Sequence, residues 1–114
     1  NTAGRDIFCC RGPNADARGA LVEDGFVIFA GSKTRRHPPP ASLKFGAWIE
    51  QLIAANVLEP INEDELRLTQ DYIVNSPSYA AALVLARHSN GWSEWKRADG
   101  KTLHDVYRAD VEEE

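Results

Sequence analysis

Asn90-Gly91-Trp92 is followed within ten residues by Trp95, Lys96, Arg97 and Lys101. These are residue types that grip a polynucleotide. An asparagine carboxamide can make two hydrogen bonds to an adenine edge, and an indole beside a glycine can stack on a base. Neighbouring lysines can neutralise phosphates. The plainer alternative is that Asn90-Gly91 only caps a helix and that at least one of Trp92 and Trp95 is core. A second basic group, Lys33, Arg35 and Arg36 with His37, has two readings as well. It is either a phosphate grip beside the Asn-Gly-Trp turn or a connection kept soluble by its charge.

Other chemistry finds little support. There is no Gly-rich phosphate loop, no histidine pair on a helix face and no elbow serine. Glu65-Leu66-Arg67 distantly resembles the Glu-x-Lys of metal-dependent nucleases, but a second strand-borne carboxylate is missing, and a solvated acidic turn explains it better. Ser76 and Ser78 lack a histidine base nearby in sequence. Cys9 and Cys10 are adjacent, so on a strand they point to opposite faces and cannot share a bridge or a metal. Zinc would need two of His37, His88 and His104, which have no finger-like spacing. The expectation is a domain with no catalytic residues, metal or cofactor.

The elements that must position these residues can be read in outline. Ser76-Pro77 starts a helix, with a capping hydroxyl and a proline suited to the first turn. Residues 80–86, AAALVLA, are apolar nearly all round, which predicts a buried helix stopping at His88-Ser89-Asn90-Gly91. Phe45, Trp48, Ile49, Leu52 and Ile53 fall at helical spacing, so a second helix runs from a Ser42 cap to about Asn56. Residues 6–10 predict a first strand and 11–18 a loop. Asp24-Gly25 between the apolar runs 19–23 and 26–29 predicts a hairpin whose second strand is apolar on both faces. Residues 31–40, with three prolines at 38–40, predict an exposed loop. Residues 57–58 and 66–68 predict small edge strands separated by the acidic turn 62–65, and Tyr72-Ile73-Val74 leads into the Ser76 helix. Residues 93–97 predict a last strand, and Thr102 caps a short helix through Val106. The expected fold is α+β, a small antiparallel or mixed sheet of about five short strands packed against two main helices plus a short C-terminal helix.

A chain of 114 residues, 43% hydrophobic and 26% charged, suits one globular domain, here residues 1–108. Residues 109–114 predict an acidic tail disordered by its charge. Asp110, Glu112, Glu113 and Glu114 carry the whole net charge of −4, so the remainder is neutral. Acidic residues gather between 59 and 71 and basic ones at 33–36 and 96–108. That segregation argues against strong autonomous nucleic-acid binding. No apolar run approaches the ~20 residues that span a bilayer, and no leader pattern is present. The thiols suit a reducing, cytoplasmic setting. A start at Asn1 rather than Met predicts a domain taken from a longer protein.

The Ser-Pro-Ser start, the alanine-rich helix and Asn90-Gly91-Trp92-x-x-Trp95-Lys96 resemble the restriction-enzyme adenine-methylase-associated (RAMA) domain. They resemble even more the related family of unknown function found C-terminal to GIY-YIG nucleases. The likeness extends to 15–19, 24–32 and 99–103. It implies an accessory module, bacterial and restriction-modification-linked, with DNA and a fused or associated nuclease or methylase domain as partners. By that resemblance Ser76, Asn90 and Trp92 face DNA; the expected DNA-binding set adds Ser78 and Gly91 beside them, with Lys96, Lys101, Lys33, Arg35 and Arg36 on phosphates by their charge. The nuclease's own motifs are absent, so any catalysis lies elsewhere in the full chain. The rival expectation is a protein-interaction or scaffold domain that never touches DNA.

Overall fold

The computed structural model describes residues 7–12, 14–23, 25–36, 43–86 and 89–108. Asp24, Ser42, the 38–40 prolines, His37, His88 and the 109–114 tail lie outside them.

The fold is α+β, with seven antiparallel strands among the described residues where about five are expected. β1 (Phe8–Gly12), β2 (Ala15–Val22) and β3 (Gly25–Ile28) form a meander. β4 is Lys33–Arg35, and helix α1 (Leu43–Ala54) follows. Next come β5 (Leu58–Pro60), β6 (Glu65–Leu68) and β7 (Tyr72–Val74). Helix α2 (Pro77–Leu85), a single turn α3 (Gly91–Glu94) and a π-helical turn His104–Arg108 complete it.

β2 is the strand on which the sheet is built. Gly19 pairs with both Phe8 and Ile28, and Asp16 with both Arg11 and Lys33. A strand residue has only two lateral neighbours, so β1 runs along one edge of β2 while β3 and β4 share the other edge end to end. β7 then pairs with β3, and β6 with β4. Between β3 and β4 the ladder is interrupted, and Ser32 repairs it. Its hydroxyl accepts from Arg18 N (3.0 Å) and donates to Arg18 O (3.3 Å). Asp71 Oδ1 accepts from Ala30 N at 2.8 Å across the same break.

Two of the expected loops are therefore strands. Residues 15–18, Ala-Asp-Ala-Arg, alternate buried and exposed along β2. Residues 33–35 do the reverse around a buried Thr34. The hairpin stands where expected, but Val22 pairs with Gly25, so the connecting positions are 23 and 24. Phe26, Val27 and Ile28 are all buried, so β3 is covered on both faces. β6 is internal, between β4 and β5, rather than an edge.

One face of the sheet carries Phe8, Cys10, Ala15, Ala17, Phe26, Ile28, Leu58, Leu66, Leu68 and Val74, all buried. Cross-strand partners share a face: Cys10 pairs with Ala17, Phe26 with Val74 and Leu58 with Leu68, while Gly19 joins Phe8 to Ile28. α2 lies against them, buried from Pro77 and from Ala80 through Leu85. Its fully buried Leu83, Val84 and Leu85 each contribute ~1.5–3 kcal/mol of transfer free energy. Ser76 caps it, accepting from Tyr79 N at 3.2 Å with Pro77 at the first helical position. The helix stops earlier than its composition predicts, at a left-handed Ala86 (φ 56°) whose N–H reaches back to Ala82 O. α1 supplies Ile49 and Leu52 to the core and ends near left-handed Asn56 (φ 62°).

Candidate nucleic-acid interface

The opposite sheet face is apolar towards β3 and β7, where it carries Ala20, Val27 and Ile73, and polar over the rest, whose residues follow from the register. Arg11, Asp16, Lys33, Arg67 and Glu59 form one row across β1, β2, β4, β6 and β5. Lys96, Cys9 and Arg18 form a second, because Lys96 pairs with Cys9 beyond the edge of β1. Arg35 opposite Glu65 starts a third. Cations here are Arg11, Arg18, Lys33, Arg35, Arg67 and Lys96; acids are Asp16, Glu59 and Glu65. The face is thus +3 on a chain whose total is −4.

Three pairs consume the acids: Arg67 with Glu59 (2.6 Å), Arg11 with Asp16 (3.3 Å) and Lys33 with Glu65 (3.8 Å). All three are at least partly solvated and worth ~0–1 kcal/mol each. Arg18, Arg35 and Lys96 make no side-chain hydrogen bond or ion pair among the described residues. Their charge is available to an outside anion.

The face is not flat. A cleft of about 640 Å³ opens where Cys9, Arg11 and Arg18 meet Lys96 and Arg97, with Ile7, Glu94, Ala98 and Gly100 around it. A second hollow of about 460 Å³ shares Arg18 and Ile7 with it and continues to Lys33. Arg97 holds Asp99 at 2.7 Å. That bond first, then the Lys101 N–H, keeps the Asp99 carboxyl below its ordinary pKa. Lys101 is exposed and adjoins Gly100 at the cleft's rim. The 95–97 segment is held by reciprocal bonds between Cys9 and Lys96 (2.7 and 2.9 Å).

The Asn-Gly-Trp turn is built differently from the sequence expectation. Asn90 is not the left-handed end of α2. It is the extended N-cap of α3 (φ −93°, ψ 100°), its Oδ1 accepting from Trp92 N at 3.0 Å. Residues 91–94 are helix, which takes the first two positions of the strand expected at 93–97; Lys96 alone of that segment makes β-bridges, to Cys9 and Thr102. Gly91 is buried, and its N–H donates to Ser78 Oγ at 3.1 Å. Only glycine fits, since a Cβ would stand 2.1 Å from the Pro77 carbonyl. Trp95 is fully buried, tilted on Phe26 at 4.4 Å, its indole N–H donating to Pro77 O at 3.0 Å. Trp92 is half-buried against the core.

Ser76 is therefore occupied in capping α2, and Ser78 in joining α2 to α3. Asn90 is exposed, though its oxygen serves the cap. α3 separates Asn90 from Glu94 at the cleft by ~6 Å of rise, so turn and cleft are neighbours. Lys33 and Arg35 lie on the same face further across the sheet, on a strand rather than a loop. Arg36 belongs to the acidic turn, its N–H on Asp64 O (3.0 Å) and its guanidinium on Asn62 O (3.1 Å). Sequence reasoning missed Arg11, Arg18 and Arg67 as members of this face. The alternation at 15–18 was the available signal for Arg18.

Glu65 and Arg67 sit on the polar face, each in an ion pair. Among the described residues no three His, Cys, Asp or Glu side chains gather as a metal site. No helix among them is long and apolar enough to cross a membrane.

The family model of a domain of unknown function, DUF4357, matches residues 8–107. No curated protein and no solved structure shows a significant match to the chain.

Proposed function

The chain belongs to the DUF4357 family, a domain of unknown function, and from that premise we propose that it is a non-catalytic accessory module with which a restriction-, modification- or nuclease-type protein holds DNA. The observation that carries this reading is the polar part of that sheet face, three charges positive on a negative chain, with Arg18, Arg35 and Lys96 unpaired among the described residues. Likeness to RAMA domains and to the modules C-terminal to GIY-YIG nucleases supports it independently. In this reading the strand-borne cations, with Arg97 and Lys101 at the rim, neutralise phosphates. Asn90 and Trp92, one helical turn away, reach a base. The work is cytoplasmic, and the chemistry belongs to a fused or associated domain.

Three unpaired cations give a log-affinity slope against log salt of about −2.7, so binding weakens roughly forty-fold from 50 to 200 mM salt. Fluorescence anisotropy with labelled duplex and single-stranded oligonucleotides measures that slope. Arg18→Glu with Lys96→Glu should abolish binding while leaving the far-UV spectrum unchanged. Asn90→Ser keeps a capping oxygen and isolates the carboxamide. No binding at low salt, or unaltered binding by the double reversal, would overturn the proposal.

A further inference from the structure

The sheet ends at β7, and the hydrogen-bond phase decides what that edge offers. Arg18 O accepts from Phe29 N at 2.8 Å, so these two directly opposed residues form a bonded pair. Bonded pairs recur every second residue, which places Val27 and Gly25 next in the β2–β3 ladder. Phe26 and Ile28 therefore turn their peptide groups to β7, where they face Val74 and Tyr72. Ile73, between those two, turns both its N–H and its C=O away from the sheet. No described backbone group takes them. Its side chain is 58% exposed.

This edge lacks the usual protection. Tyr72-Ile73-Val74 carries no charge, proline or bulge. Beside it lies a hollow of about 300 Å³ between Trp48, Tyr72 and Tyr79, and Tyr79 is 57% exposed.

We propose that β7 pairs antiparallel with β7 of a second copy of this chain across a two-fold axis at Ile73. The sequence around that axis is self-complementary. Ile73 meets itself in a bonded pair and satisfies both peptide groups of each copy. Tyr72 opposes Val74, apolar against apolar. Asp71 opposes Asn75, a carboxylate facing a carboxamide, so no like charges meet. Asp71 Oδ1 is already held by Ala30 N, which leaves its second oxygen for that contact. The axis is perpendicular to the sheet, so both helical layers stay on one side. The two Trp48–Tyr79 hollows then flank the axis. Nothing in this arrangement depends on DNA.

Sedimentation velocity from low micromolar to submillimolar protein tests it. The expected result is a dimer, converted to monomer by Ile73→Lys with an unchanged far-UV spectrum. Ile73→Cys in a Cys9→Ser background should cross-link under mild oxidation, because bonded antiparallel pairs have Cα atoms ~5.5 Å apart. Glu50→Cys, exposed on α1, is the negative control. A monomer at every concentration overturns the proposal, including one that takes an extended peptide on this edge. So does a dimer that survives Ile73→Lys without the Ile73→Cys cross-link.

Discussion

Gly91→Ala separates a structural from a DNA-contacting role for the Asn-Gly-Trp turn. The new methyl group would stand 2.1 Å from both the carbon and the oxygen of the Pro77 carbonyl and 2.4 Å from Ser78 N. All three are backbone atoms at the capped start of α2 and cannot swing aside. α3 must retreat by about 1 Å or more to restore ordinary contact. Overpacking of this kind costs ~1–3 kcal/mol. The retreat also stretches the Gly91–Ser78 bond and the bond from the Trp95 indole to Pro77 O. Leaving the buried Trp95 indole N–H unsatisfied adds ~1–3 kcal/mol. The expected loss is about 2–6 kcal/mol, a large share of the ~5–15 kcal/mol that holds a domain together. Urea unfolding followed by tryptophan fluorescence and circular dichroism reads it, with the midpoint falling and the slope unchanged. A Gly91→Ala variant within ~0.5 kcal/mol of the parent would refute the reasoning. Normal stability with lost DNA binding would make Gly91 a ligand contact instead.

Thr34→Val should stabilise the fold by ~1 kcal/mol, because the buried Thr34 hydroxyl has no hydrogen-bond partner among the described residues and the isosteric methyl needs none. A drop in melting temperature would contradict this. Asp105 and Thr102 cap the C-terminal turn reciprocally: Thr102 N donates to Asp105 Oδ2 (3.0 Å) and Asp105 N to Thr102 Oγ1 (3.1 Å). The Thr102 N–H first, then its hydroxyl, hold the Asp105 carboxyl below its ordinary pKa. A folded value below the unfolded one gives stability that is complete above the unfolded pKa and lost as pH falls through the folded one. Melting temperature should therefore fall less between neutral and acid pH in Asp105→Asn than in the parent; parallel curves would contradict it.

Much of this architecture is legible in the residues. Ser76-Pro77 announces α2, and the apolar residues after it leave no polar face for solvent. Trp48, Ile49, Leu52 and Ile53 announce α1. What resists reading is instructive. The glycine, proline and asparagine near 11–18 predict a loop, yet the turn is confined to two positions and Ala15-Asp16-Ala17-Arg18 is already strand. β4 has three residues, too few for any period to register, and its cations disguise a buried threonine. Asn-Gly suits a helix end or a helix start equally; the close seat of Gly91 on Pro77 decides, and that contact is tertiary. The cationic face gathers Arg11, Arg18, Lys33, Arg35, Arg67 and Lys96 from five separate segments. Only the pairing register unites them, and no local pattern encodes it.

The placement of α1 dictates the sequence of assembly. β1, β2 and β3 are joined by two-residue connections and can zip together within microseconds of collapse. β4 cannot find β6, nor β3 find β7, until the chain has looped out around α1 and come back, since Lys33 waits for Arg67 and Phe26 for Val74. The entropy of that closure is lost before any of its ladder forms. Refolding is thus gated by the homecoming of residues 65–74, and substitutions there should slow it more than equally disruptive changes in the early meander.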